Sequence, residues 1–187
     1  VGDVLQDSKK RWRAKIRSNA GKQSNRGIYC SPETFPSANA SKPPMITSCS
    51  FAFQPIVNAT DGSNFSYEAL MRGPNEETAI DVINNVPSAG RTAIHDESRV
   101  LALHWAAYRG LSTHLNLNIM PSVVSSSPSA IPSTLEAAQR FHILPKQIVL
   151  EILESEIIGS LKGLSAALRD YRSTGLLFAI DDFGAGY

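Results

Sequence analysis

Five oxygen-bearing side chains stand out by their spacing: Glu68, Asn118, Glu151 and the pair Asp181-Asp182. The first four are 50, 33 and 30 residues apart, about one to one and a half strand-plus-helix units each. Every one of them lies late in an apolar run or just after it. Three acidic sites and an amide, with no Cys or His placed to join them, suit a hard divalent cation such as Mg²⁺ or Mn²⁺ rather than zinc. Four carboxylates gathered in one mouth would repel one another without a cation. Two cations there would suit in-line displacement at a phosphodiester. Taken singly, each residue is an ordinary strand-end cap or loop acid. The set, at regular strand ends, carries the reading.

The stretch Tyr67-Glu68-Ala69-Leu70-Met71-Arg72-Gly73 adds a guanidinium to this group. Period-two geometry puts Glu68, Leu70 and Arg72 on one face of a strand. Two charges on one face of an apolar strand are either an ion pair or a functional pair.

These residues need strands to hold them. The alternating run from Phe51 predicts a strand over 51–58, followed by a turn at Asp61-Gly62 and a second strand over 65–72. Helices are expected over 77–86 and from Arg91 to Arg109, the second with Val100, Leu101, Leu103, Trp105, Ala107 and Tyr108 on a broad apolar face and Gly110 at its end. His95 and His104 on that helix read as structural or surface residues. A strand over 114–119 runs into a Ser-rich loop at 122–129. A short helix from Thr134 to Phe141 follows, then a strand from Gln147 to Ile152, a helix over 160–173 and a last strand from Leu176 to Asp181. The order β-β-α-α-β-α-β-α-β implies a parallel sheet covered by helices. Residues at the carboxyl ends of successive parallel strands converge on one mouth, as in barrel enzymes. No Gly-rich phosphate loop follows the first strand, which sets the dinucleotide-binding fold aside.

The remaining composition is that of a soluble globular protein: 187 residues, 42% hydrophobic, 19% charged, net charge +1. Residues 1–50 carry nine Lys/Arg against three Asp/Glu, and the remainder nine against fourteen. The first 50 residues thus read as a basic, Ser/Pro-rich leader or linker, and 51–187 as the folded domain. Lys9-Lys10-Arg11-Trp12-Arg13 could meet an anionic surface, but a single Trp is poor stacking for a nucleic acid. A solvated linker is expected, with no specific nucleic-acid polymer as partner and any membrane contact confined to the leader. No apolar run reaches the roughly 18 residues of a membrane span, and Val1–Ala20 has no apolar core of a secretory signal. Cys30 and Cys49 are read as incidental thiols in a reducing, cytoplasmic setting.

Five ordered segments then point to a family. Phe53-Gln54-Pro55-Ile56-Val57, Glu68-Ala69-Leu70, Leu117-Asn118-Ile119, Leu150-Glu151-Ile152-Leu153-Glu154 and Asp181-Asp182-Phe183-Gly184-Ala185-Gly186-Tyr187 resemble the signatures of the EAL domain family, in family order. The resemblance implies a modified TIM-type (β/α)8 barrel with an antiparallel first strand. It also implies Mg²⁺- or Mn²⁺-dependent hydrolysis of cyclic di-GMP to linear pGpG. By position, Glu68, Asn118, Glu151 and Asp181 would hold metal, and Asp182 would serve a second metal and help place the attacking water. Glu154 would anchor a loop that completes the site, and Gln54 and Arg72 would contact the dinucleotide. The segment from Tyr67 to Asn75 is also similar to EAL domains joined to flavin photoreceptors, so a sensor domain in a longer parent protein is an expected partner; a homodimer is expected because many EAL domains dimerise.

Two departures are visible. Met120 stands where the family usually has Ser, and Leu153 where it usually has Thr. Both favour the alternative of a catalytically silent module that binds the dinucleotide or a protein, whereas the intact acidic set favours the enzyme. From Phe51 the sequence offers 137 residues, against about 250 for a typical barrel. The barrel is therefore expected to be incomplete at its C-terminus and the chain alone weakly active or inactive, since a later Lys, Glu and Gln of the family have no counterpart.

Overall fold

The computed structural model describes residues 49–126, 130–154 and 161–184. Most of the basic leader, Cys30 included, lies outside them, as do residues 185–187 of the last motif.

Two strands open the fold, β1 (Ser50–Val57) and β2 (Asn64–Arg72), paired antiparallel. Their connection turns at Gly62, whose φ of 74° lies in the left-handed region that glycine enters without a Cβ clash. Asp61 steadies the turn by accepting from the Ser63 backbone N–H at 2.9 Å and from its hydroxyl at 2.6 Å. Then come α1 (Ala79–Asn84) and α2 (Arg91–Tyr108), β3 (His114–Asn118), α3 (Pro121–Ser126), α4 (Ala130–Arg140), β4 (Ile148–Leu153), α5 (Leu161–Arg172) and β5 (Leu177–Asp181). The sheet order is β1-β2-β3-β4-β5, parallel from β2 onward. The expected antiparallel first strand is present. Among the described residues the five strands form an open sheet with β1 and β5 at its edges.

The core lies on one face of that sheet. Ala69, Leu115, Leu117, Ile148, Leu150 and Ile152 pack against Ala102, Leu103 and Ala106 of α2, Ile131 and Ala138 of α4, and Leu164 of α5. The parity is that expected for β2: Ala69 and Met71 are buried, while Glu68, Leu70 and Arg72 occupy the opposite face. A smaller cluster joins Met71 and Ile94, with half-buried Cys49 packed on it rather than lying free in the leader.

Three expectations shift. The Ser-rich segment after Pro121 is helical from Pro121 to Ser126, because proline at the first helical position needs no N–H partner and Val123 and Val124 are buried in the core. Helix α4 extends back to Ala130 rather than starting at Thr134; Pro132 sits in its first turn, where its missing N–H removes no bond. Tyr108 is 68% exposed instead of closing the apolar face of α2, and Ala102 and Ala106 fill that face. Gly110 ends α2 as expected, with φ 64°.

Among the described residues the helix layer holds one buried charge. Arg99 on α2 donates from Nε to Thr134 Oγ1 at 3.2 Å and pairs with Asp96. Thr134 passes the chain on by donating to the Ala130 carbonyl at 2.8 Å. Nearby, His104 packs edge-on against Trp105 and Phe141, with ring centroids 5.5 and 5.2 Å away, as a structural aromatic contact.

Candidate functional site

The face of the sheet opposite the core is polar, and its register explains how. Gln54 on β1 lies opposite Glu68 on β2, Glu68 opposite Asn116 on β3, Asn118 opposite Glu151 on β4, and Leu153 opposite Asp181 on β5. Residues in register share a face. The polar groups therefore rise toward the carboxyl ends in steps: Asn118 stands one level above Glu68, Glu151 is level with Asn118, and Asp181 stands one level above Glu151.

Four side chains of this face are joined in two crossed hydrogen bonds. Asn118 Nδ2 donates to Glu68 Oε1 at 3.2 Å, and Asn116 Nδ2 donates to Glu151 Oε1 at 2.6 Å. The asparagines of β3 thus serve a carboxylate on each neighbouring strand. Glu151 is the buried member, 6% exposed. Burial pushes its carboxyl up to about 7, the Asn116 bond opposes that shift, and the like charges of Glu68 and Asp181 add to it. Desolvated and flanked by two carboxylates, Glu151 holds a proton near neutrality where a cation would satisfy the same field. This donor set fits a divalent cation.

The last strand ends in a turn that returns to β4. Asp181 Oδ1 accepts from the Asp182 backbone N–H at 2.9 Å, and Asp182 adopts φ 53°. Gly184 donates its backbone N–H to Glu154 Oε2, so Glu154, just past β4, ties down the turn after β5. Asp182 itself is exposed. No group of three or more His, Cys, Asp or Glu is drawn to metal-binding distance among the described residues. Glu68, Asn118, Glu151 and Asp181 share a face and an electrostatic field without converging on one point.

Arg72 and Gln54 stand apart from the hydrogen-bonded set. Arg72 Nη1 donates to the Met71 carbonyl at 2.9 Å, and among the described residues it forms no ion pair with Glu68. The ion-pair reading of that strand is therefore not met. Gln54 is exposed on the edge strand. Just after Arg72, buried Gly73 lies so close to Glu77 that a Cβ would run into its carboxylate, with Val82 Cγ2 at 3.0 Å. Asn116 was the member missing from the sequence reading. Its signal was the Asn-x-Asn alternation of β3, since an amide inside a buried parallel strand is out of place unless something uses it.

Comparison with known proteins agrees with this architecture. The model of the EAL domain family matches residues 47–187. The chain is 28% identical over 139 residues to the blue light- and temperature-regulated antirepressor BluF of Escherichia coli, covering 73% of this chain and 34% of that protein. Among solved structures, a calcium and cyclic di-GMP complex of Klebsiella pneumoniae BlrP1 superposes with a TM-score of 0.70 at 29% identity, over 75% of this chain and 36% of the other. BlrP1 has also been solved with manganese and the same dinucleotide. A cyclic di-GMP-bound standalone EAL protein of Vibrio cholerae gives a TM-score of 0.67 at 38% identity, over 74% of this chain and 59% of that one. This chain thus spans about a third of BluF and BlrP1. With the family model matched from before β1 to the last residue, and with an antiparallel strand leading a parallel, helix-covered series like that of TIM-type EAL barrels, the chain belongs to the EAL domain family.

Proposed function

We propose that this chain is the cation-binding half of a phosphodiesterase site that opens cyclic di-GMP to linear pGpG. The observation that carries the proposal is the register-aligned set of Glu68, Asn118, Glu151 and Asp181 on one face of the sheet, with buried Glu151 in the field of two further carboxylates. In this reading those four residues hold Mg²⁺ or Mn²⁺. When bound, such a cation neutralises phosphodiester charge and acidifies a water for in-line attack.

The chain's own residues do the rest. Glu151 would release its proton to solvent as a cation took its place. Asn118 orients Glu68 through their hydrogen bond. Asp182, lifted clear of the strand by its left-handed backbone, serves a second cation and the attacking water. Glu154 keeps that turn in place through the Gly184 N–H. Arg72 at the end of β2 and Gln54 opposite Glu68 take the dinucleotide; a guanidinium suits either a phosphate or a guanine edge. The free thiol of Cys49 accords with a cytoplasmic setting. A sensor domain elsewhere in a parent protein belongs to the same proposal, in keeping with a relative described as regulated by blue light and temperature; a homodimer is proposed with it.

Leu153 favours a second reading. It lies across the sheet from Asp181, where it offers no hydrogen bond, and a module with that gap could bind the dinucleotide without cutting it. Incubation of a protein in which this chain continues through the whole barrel with cyclic di-GMP and MnCl₂, with nucleotides separated by chromatography, decides between the two. Metal-dependent appearance of linear pGpG is the expected result. Tight binding without turnover would overturn the enzyme and leave the binding module.

A further inference from the structure

We propose that Asn116 is the positioning residue of Glu151, fixing one carboxylate oxygen so that the other is the one presented to a cation. This rests on the cation-binding role proposed above for Glu151. Three observations carry it. The first is the contact itself: Asn116 Nδ2 to Glu151 Oε1 at 2.6 Å, the short distance of a charge-assisted bond. The second is burial. Asn116 is 3% exposed and Glu151 6%, whereas Asn118, two residues further along the same face, is exposed. The two asparagines of β3 therefore do different work: Asn118 can reach an incoming ligand, and Asn116 can reach only Glu151. The third is what Asn116 gives up. Its Oδ1 is buried with no hydrogen-bond partner among the described residues, and an orphaned amide carbonyl costs stability. A leucine would fill that place in a parallel strand at less cost, as Leu115 and Leu117 do on the other face. Asn116 is explained by the oxygen it holds rather than by the strand it sits in.

The orientation follows from the chemistry. The amide nitrogen facing Oε1 gives an attractive contact with the ionised carboxylate, while the flipped amide would set oxygen against oxygen. Glu151 Oε2 has no protein partner among the described residues. Holding Oε1 thus removes one degree of freedom from the carboxylate and leaves a single oxygen for the cation.

The test uses the intact protein, MnCl₂ as the probe, and Asn116→Leu, which keeps the branched shape and removes the donor. Isothermal titration should show Mn²⁺ binding weakened by about 10- to 100-fold, the usual loss when the partner of a metal ligand is removed. The melting temperature of the metal-free variant should be unchanged or raised. The carboxylate band that responds to Mn²⁺ in the infrared difference spectrum, assigned by its loss in Glu151→Gln, should shift in Asn116→Leu. Wild-type-like affinity and an unshifted band would overturn the assignment while leaving the cation reading intact. Absence of any Mn²⁺ binding by the unmodified protein would overturn both. Asn116→Ala substitutes if the leucine variant does not fold. If neither folds without metal, Asn116 is a structural residue and the proposal is wrong.

Discussion

Alternate residues of the same five strands build two faces of opposite chemistry. On the helix-covered face, Leu115, Leu117, Leu150 and Ile152 are almost wholly buried against α2, α4 and α5. Each such side chain contributes about 1.5–3 kcal/mol through removal from water. On the other face the same strands carry Asn116, Asn118 and Glu151, two of them equally buried. Glu151 lies between two of the best-packed residues of the core, Leu150 and Ile152. The strand must therefore be held rigidly by one face in order to hold a poorly solvated carboxylate on the other. The contrast teaches that burial on this sheet has two meanings: stabilising for the apolar residues beneath the helices, and strain for the polar ones on the opposite face, which only a cation or a proton relieves.

The sharpest way to break that contrast is Glu151→Gln in the intact protein. Cleavage of cyclic di-GMP should fall by about 10³-fold, equivalent to about 4 kcal/mol of barrier, while the metal-free melting temperature stays level or rises. A variant that melted early yet still turned over would place Glu151 with the structural face. The converse is Leu150→Ala, one residue away and pointing into the core. Here about 3 kcal/mol of stability should be lost, read as a lower urea midpoint, with Mn²⁺ affinity of the folded fraction unchanged.

How much of this was legible in the sequence differs between the faces. The period-two strands and their end residues could be read directly, because side-chain alternation is a local property and the strand-end acids recur at regular intervals. The helix boundaries were less accessible. Ser122 to Ser129 looks like a loop because serine favours turns and caps, yet Val123 and Val124 gain more from the core than the backbone loses. Pro132 looks like a barrier to a helix until its place in the first turn of α4 is known. Asn116 escaped because its partner is 35 residues away on the next strand, and only the pairing register brings the two together. The independence of Arg72 from Glu68 is likewise invisible in a one-dimensional spacing of four.

The helix layer has its own buried charge, which tests whether polarity behaves there as it does at the site. Arg99 has two described partners, Asp96 and Thr134, and burial pulls its pKa down against the pull of Asp96. Asp96→Ala would leave the guanidinium desolvated with one partner fewer. Roughly 1–3 kcal/mol of stability should be lost, measured by thermal or urea unfolding, with no change in Mn²⁺ binding. The two buried charges would then separate cleanly, Arg99 as a stabilising element once paired and Glu151 as a destabilising one until it is.

The effect that is smallest per step of the experiment, a gradual change with pH, is also the one whose sign is most informative. Glu151 sits at about 7 in the folded chain, against an ordinary 4.5. The folded state therefore holds a proton that the unfolded chain has already released between these values. A carboxyl raised in this way favours the fold fully below about pH 4.5, and that contribution is lost as the pH climbs through about 7. Metal-free protein should accordingly lose stability across this window, by less than about 1.4 kcal/mol per pH unit because a single proton is involved. Glu151→Gln should flatten the profile, while Leu150→Ala should lower it uniformly without changing its slope. Saturating Mn²⁺ should abolish the slope of the unmodified protein above about pH 4.5, because the cation-bound carboxylate carries no proton to lose. A slope that persisted in Glu151→Gln would have to arise elsewhere, and the strain assigned to this face would lose its source.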